Sequence, residues 1–268
     1  MGHSSWPLTG NNAPAENPHP YYPLGVSIPD YLPNEAPVPV LLAALGGMLG
    51  FSLLLASVVA RKANPDLGRT DLAVFCWFVM MSNRAGCSRP GRGKLTSSTL
   101  KGYFVLNHAT VASSQNLLAQ LWKEYALSDS RYLTSDVFML SVESITAFIW
   151  GPLCLATALS IVLTSPLRHS LRITASMAHL YGVALYYATS LSSTYFTGRS
   201  HSRPEVLYFW VYYVGFNLPW AVIPALLLLD SVRTVTRAMR APDLSSSTHR
   251  PKEGAVPVRN GSMKSKVI

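Results

Sequence analysis

Charge is scarce in this chain: 13% of its 268 residues are Asp, Glu, Lys or Arg, against 49% hydrophobic. A soluble domain carries about 25% charged residues, so the shortage argues against one water-soluble core. Acids are scarcer still, 13 against 22 Lys and Arg, for a formal charge of +9. Cysteine is limited to Cys76, Cys87 and Cys154. That odd, scattered set has neither metal-ligand spacing nor a disulfide framework. There is no nucleotide loop, zinc set or Ser/His/Asp arrangement, and the lone Gly91 and Gly93 pair follows no strand pattern. No metal and no cofactor are therefore expected. The chain begins MGHSSW, without the Ser or Thr that the sixth position of a myristoylation site needs. Its first apolar run starts near Val38 and is long enough to stay in a membrane, so no cleavable signal is expected.

What is present is long hydrophobic runs. The spans read as Val38–Ala60, Asp136–Leu163, Leu167–Leu191 and Glu205–Leu229, each about long enough to cross a bilayer as a helix. A further run, Leu72–Leu106, is interrupted by SNRAGCSRPGRGKLTSST, which carries Arg84, Arg89, Arg92 and Lys94 with no acid. The expected fold is all-α, a polytopic membrane bundle of five transmembrane helices with its second span interrupted. Residues 1–37, rich in proline, form an irregular lumenal lead-in; 38–239 form the membrane domain; 240–268 form a disordered basic cytosolic tail. Five crossings put the Arg61/Lys62/Arg69 loop, the Arg168/Arg172 turn and the basic tail on one side, whereas four would split them. The net charge thus belongs to membrane orientation, and no nucleic-acid partner is expected. The closing Lys264-Ser265-Lys266-Val267-Ile268 looks like a dilysine retrieval signal for the endoplasmic reticulum, and Asn260-Gly261-Ser262 would be a cytosolic, unused sequon.

Glu143 is the one carboxylate well inside an apolar run. An ionisable group at membrane depth is costly to keep and marks a functional site by default; the bland reading is a Glu that snorkels to the headgroups. Uniform helical spacing puts Thr146 and Trp150 on its face. In the last span Asn217 and Trp220 share a face, with Tyr213 one turn earlier. An Asn in lipid needs partners, and an interhelical hydrogen bond that only joins helices is the plainer reading. Tyr208 and Trp210 read as an interfacial belt. His179, in the fourth span with no carboxylate one turn away, reads as a packing residue.

GYFVLNH, QLWKEYALSDSRY, VESITAFIWGPL, LYFWVYYVGFN-x-x-W and LLLLD, in that order, resemble the emopamil-binding protein family, over roughly Val38–Met239. The resemblance implies an EXPERA-type domain and a sterol delta-8, delta-7 isomerase of the endoplasmic reticulum membrane, which protonates a ring alkene and removes a proton elsewhere. It implies a sterol taken from the bilayer as substrate, cationic amphiphilic amines as inhibitors, and leaves a homodimer open. Glu143, Asn217 and Trp220 take the catalytic positions, with Thr146, Trp150 and Tyr213 lining the substrate. The family's second span carries His and Glu before its GYFV; here Ser97 and Lys101 stand in those places. Two readings account for this: a diverged, non-catalytic chain that binds sterols or amines, or a misplaced splice junction. Confinement of the change to one patch favours the second.

The topology is tested by glycosylation tags at the two ends. A modified N-terminal tag and an unmodified C-terminal one are expected; the reverse overturns both the orientation and the retrieval signal.

Overall fold

The computed structural model describes residues 18–82 and 100–247. Among them the regular structure is helical: α1 Val38–Ala63, α2 Arg69–Met81, α3 Leu100–Asn107, α4 Leu117–Tyr125, α5 Val137–Ile145, α6 Gly151–Val162, α7 Arg168–Thr197 and α8 Leu218–Ser247. Three stretches are long and apolar enough to cross a membrane: Val38–Ala63, Val137–Val162 and Leu207–Arg240.

The middle stretch is the axis. The Asp136 side chain caps it by accepting the Met139 N–H at 2.9 Å, which supplies an orphan donor of the first turn with a partner. α5 then continues through a π-helical turn, Thr146–Trp150, into α6. Its most apolar window is 44% buried, against 6% for α1, so α5–α6 is central and α1 peripheral. Accordingly α1 presents Phe51, Leu54, Leu55 and Val59 outward. A helix this apolar on its outer face has lipid as its natural solvent. Arg61 and Lys62 end it, where cations complement the helix dipole.

α2 packs on α6 and α3 on α5. Both half-length helices therefore lie against the α5–α6 rod. The cationic interruption lies at residues 83–99, outside the described residues, as does Ser97. α7 and α8 form the largest helix pair, tied by Arg172 Nη2 to Asp230 Oδ2 at 2.8 Å. α8 continues to Ser247, into the segment expected to be a disordered tail. No glycine lies between Asp230 and Ser247, and the basic and aliphatic residues from Val232 to Arg240 suit a helix.

The other end is closed by a polar cap. The stretch from α4 to the short 3-10 turn Ser130–Tyr132 is almost wholly buried, including Lys123, Asp129 and Arg131. Residues 18–37 have irregular backbone and are pinned: Tyr21 donates to the Lys123 carbonyl at 3.0 Å and Lys123 Nζ to the Leu32 carbonyl at 2.8 Å. The loop after α7 joins in, with the Ser130 N–H donating to the His201 carbonyl at 3.0 Å. At the centre Arg131 clasps Asp129 with two forks, Nη2–Oδ2 at 2.6 Å and Nε–Oδ1 at 2.9 Å, while its Nη1 donates to Thr189 of α7 at 3.0 Å. The guanidinium also lies over the Tyr186 ring, 5.3 Å from its centroid.

Asp129 is fully buried, so removing its partner leaves a charge without compensation. Arg131→Met should lower stability by about 3–5 kcal/mol, read by thermal unfolding in detergent. Combining it with Asp129→Leu should recover part of the loss. A single variant as stable as the parent would show that the clasp does not hold the cap.

Candidate functional site

Glu143 lies two turns into α5, 5% exposed, facing the bundle interior. Its two oxygens meet different elements. Oε1 accepts from the Tyr132 hydroxyl at 3.2 Å. Oε2 lies 3.2 Å from Lys101 Nζ, an ion-pair distance, but takes no directed hydrogen bond.

The partners are placed by the cap. Tyr132 ends the 3-10 turn that Asp129 begins, with Asp129 Oδ1 accepting the Arg131 N–H at 3.2 Å. Its ring packs on Trp122 at 4.8 Å, Phe104 at 5.3 Å and Tyr125 at 5.4 Å. The Trp122 indole donates to the Leu100 carbonyl at 2.8 Å, fixing the start of α3 and with it Lys101. One aromatic cluster therefore orients both groups that face Glu143. The Lys101 side chain is 25% exposed.

Asn217 does not touch Glu143. Its amide donates to the Tyr125 hydroxyl at 3.1 Å and to the Tyr213 carbonyl at 2.8 Å. The second bond meets a carbonyl of the π-helical stretch, Leu207–Gly215, with which the span begins. Tyr187 donates to that same Tyr213 carbonyl at 3.1 Å. Asn217 thus joins helices, the plainer of its two readings, and its route to Glu143 runs through the adjoining rings of Tyr125 and Tyr132. Tyr213 is buried against Tyr186, Tyr187 and Phe209. Trp220 packs against the apolar cluster built by α2 and α6, edge-on to Trp77 at 5.9 Å.

Thr146 and Trp150 open and close the π turn, both half-buried. The Gly151 N–H reaches back to the Thr146 carbonyl. Such a turn acts as one extra residue and rotates the helix beyond it by about 100°, so Trp150 leaves the face that uniform spacing gave it, while Thr146 keeps its place. His179 Nε2 lies 3.8 Å from Cys154 Sγ, and its Nδ1 is buried without a hydrogen-bond partner. Trp210 is exposed, and Tyr208 lies under the Arg203 guanidinium, 4.9 Å from its ring centroid.

Lys123 and Glu124, the charged pair of the WKEY run, are structural. Burial pulls the Lys123 ammonium below its usual value. It pushes the Glu124 carboxyl above its own, against the Tyr212 hydroxyl that donates to it at 3.2 Å. Tyr125, Tyr132 and Lys101 are site residues that periodicity does not single out. Both tyrosines stand in the quoted WKEY and DSRY runs, and Lys101 was legible only as a departure from the family pattern.

The EXPERA (EXPanded EBP superfamily) model matches residues 117–231, from α4 into α8. The chain is 32% identical over 241 residues to mouse 3-beta-hydroxysteroid-Delta(8),Delta(7)-isomerase, covering 88% of this chain and 95% of that one. The guinea pig isomerase of the same name is 33% identical over 230 residues, covering 84% and 92%. Isomeliandiol synthase of Melia azedarach is 28% identical over 181 residues, covering 67% and 77%.

Because Asn217 and Tyr125 share one hydrogen bond, their substitutions should not add. Asn217→Ala should cost about 1–2 kcal/mol of stability, and Tyr125→Phe should cost less in that background than alone. Full additivity in a double-mutant cycle would break the link between the last span and the cap.

Proposed function

This chain belongs to the EXPERA superfamily, and on that premise we propose that it is a sterol isomerase of the delta-8 to delta-7 class, a cholestenol delta-isomerase of the endoplasmic reticulum. The observation that supports this most is a buried carboxylate, Glu143, steadied by a buried tyrosine in the interior of an apolar bundle. A ring alkene is a feeble base. Its migration needs an acid aimed at one carbon, stabilisation of the cation, and a base for the proton leaving another carbon. Glu143 is the proton-transfer group. Trp220 offers its ring to the cation, worth about 0.5–2 kcal/mol in a dry site. Asn217 is a positioning residue acting through Tyr125, and Thr146, Trp150 and Tyr213 line the sterol path. The sterol enters from the bilayer, and cationic amphiphilic amines imitate the intermediate. On this reading the chain crosses five times, with α2 and α3 sharing one crossing, the cap in the lumen and the basic end in the cytosol.

Lys101 favours a second reading. A carboxylate already paired with an ammonium has no proton to give, and the family's own acid is missing from that position. On this reading the chain binds sterols or amines of the same class without turning them over.

Two variants separate the readings in cells that lack the isomerase, with delta-8 sterol accumulation as the measure. On the first reading the chain as it stands clears delta-8 sterol; on the second it leaves delta-8 sterol high, and only a version with an unbroken apolar second span carrying His and Glu at positions 97 and 101 clears it. In that active version Glu143→Gln should lower turnover by about 10²–10⁴-fold with little change in sterol binding. Unchanged turnover would return Glu143 to a structural role, and full clearance by the unaltered chain would show that Lys101 does not impair the acid.

A further inference from the structure

The pair formed by Lys101 and Glu143 is more than the loss of an acid. It sets a carboxylate with one oxygen, Oε2, free of directed hydrogen bonds beside an ammonium, in an apolar interior. Tyr132 fixes the carboxylate through the other oxygen. Among the described residues the ammonium has one ion-pair partner, and its side chain remains partly open. An ammonium carries three donors, so it can receive an oxygen of a ligand while still facing Glu143. A positioned carboxylate base with a cationic donor a few ångströms away is the minimum for removing a proton next to a carbonyl. It suits an enolate better than it suits the protonation of an isolated alkene, since a carboxyl group beside an ammonium is a weak acid.

We propose that this site isomerises a sterol-sized β,γ-unsaturated ketone to its α,β-unsaturated form. The proposal rests on the reading that the site admits sterol-sized molecules, and it changes the chemistry from carbocation to enolate. The ketone oxygen accepts from Lys101. Glu143 takes the proton from the carbon between the carbonyl and the alkene. The C–H bond breaks, and its electron pair forms the new C=C of a dienolate whose negative oxygen lies against the ammonium. The dienolate then takes the same proton from Glu143 at its γ carbon, and the double bond moves into conjugation. One proton leaves and one returns, so no oxidant, reductant or cofactor is consumed. Lys101 is thus a catalytic residue in its own right.

The full-length chain in lipid nanodiscs is given a β,γ-unsaturated ketosteroid, and ultraviolet absorbance reports the conjugated product. Binding of a delta-8 sterol is measured on the same samples. The unaltered chain should turn the ketone over. Glu143→Gln should lose about 10²–10⁴-fold in kcat. Lys101→Met should lose about 10²-fold or more, as when an oxyanion donor is removed, with sterol binding kept. Lys101→Arg retains the cation and should keep most of the rate, a difference between Met and Arg that a merely structural lysine would not require. Lys101→Glu should abolish ketone turnover. If the unaltered chain is no faster than Glu143→Gln while the delta-8 sterol still binds, the enolate proposal falls and the sterol-site reading stands. If neither ligand binds, that underlying reading falls and takes the proposal with it.

Discussion

Glu143 receives one contact from α3 and one from the 3-10 turn of the cap, and neither comes from its own helix. That division governs the architecture. A carboxyl group at membrane depth must be supplied with donors, and α5 has its backbone N–H groups committed to the helix. The partners must therefore be carried in from elsewhere, and the cap is what carries them. Trp122 fixes α3, Asp129 and Arg131 shape the turn that ends in Tyr132, and Phe104 fills the space between. Each of these residues is explained by what it does to two oxygen atoms.

The same requirement explains the irregular helices. A π turn comes just after Glu143 and a longer one precedes Asn217, at the two places where side chains meet the cap. Widening the helix frees carbonyl groups, and Asn217 and Tyr187 take up the one at Tyr213. The backbone here is bent to aim side chains, and polar residues satisfy what the bend leaves open.

The sequence was most legible where composition acts locally. The span from Asp136 to Leu163 matches a helix with Asp136 as its cap and Leu163 beyond its end, because a long apolar run with a capping acid admits little else. Val38 begins α1 as expected, since Pro37 and Pro39 fix the entry. Glu143 was legible for the same reason, as a charge where none is cheap. Its partners were not. Tyr132 and Lys101 are distant along the chain, and nothing in their own neighbourhoods says which side chain they meet. A π turn leaves no mark in hydropathy, so uniform spacing does not show the helix rotating between Glu143 and Trp150. The persistence of α8 to Ser247 was hidden by tail residues whose basic, serine-rich composition suits disorder as well as a helix.

The cap's long-range bonds also set an order of assembly. Tyr21 has to await Lys123, Leu32 awaits the same lysine, and Ser130 awaits His201. The first strap to leave the ribosome thus waits through the synthesis of α1 to α3 before its partner on α4 is made. Until α7 and the loop after it arrive, Arg131 lacks its Thr189 partner and the Ser130 N–H lacks the His201 carbonyl, so the polar end of this chain is the part completed late.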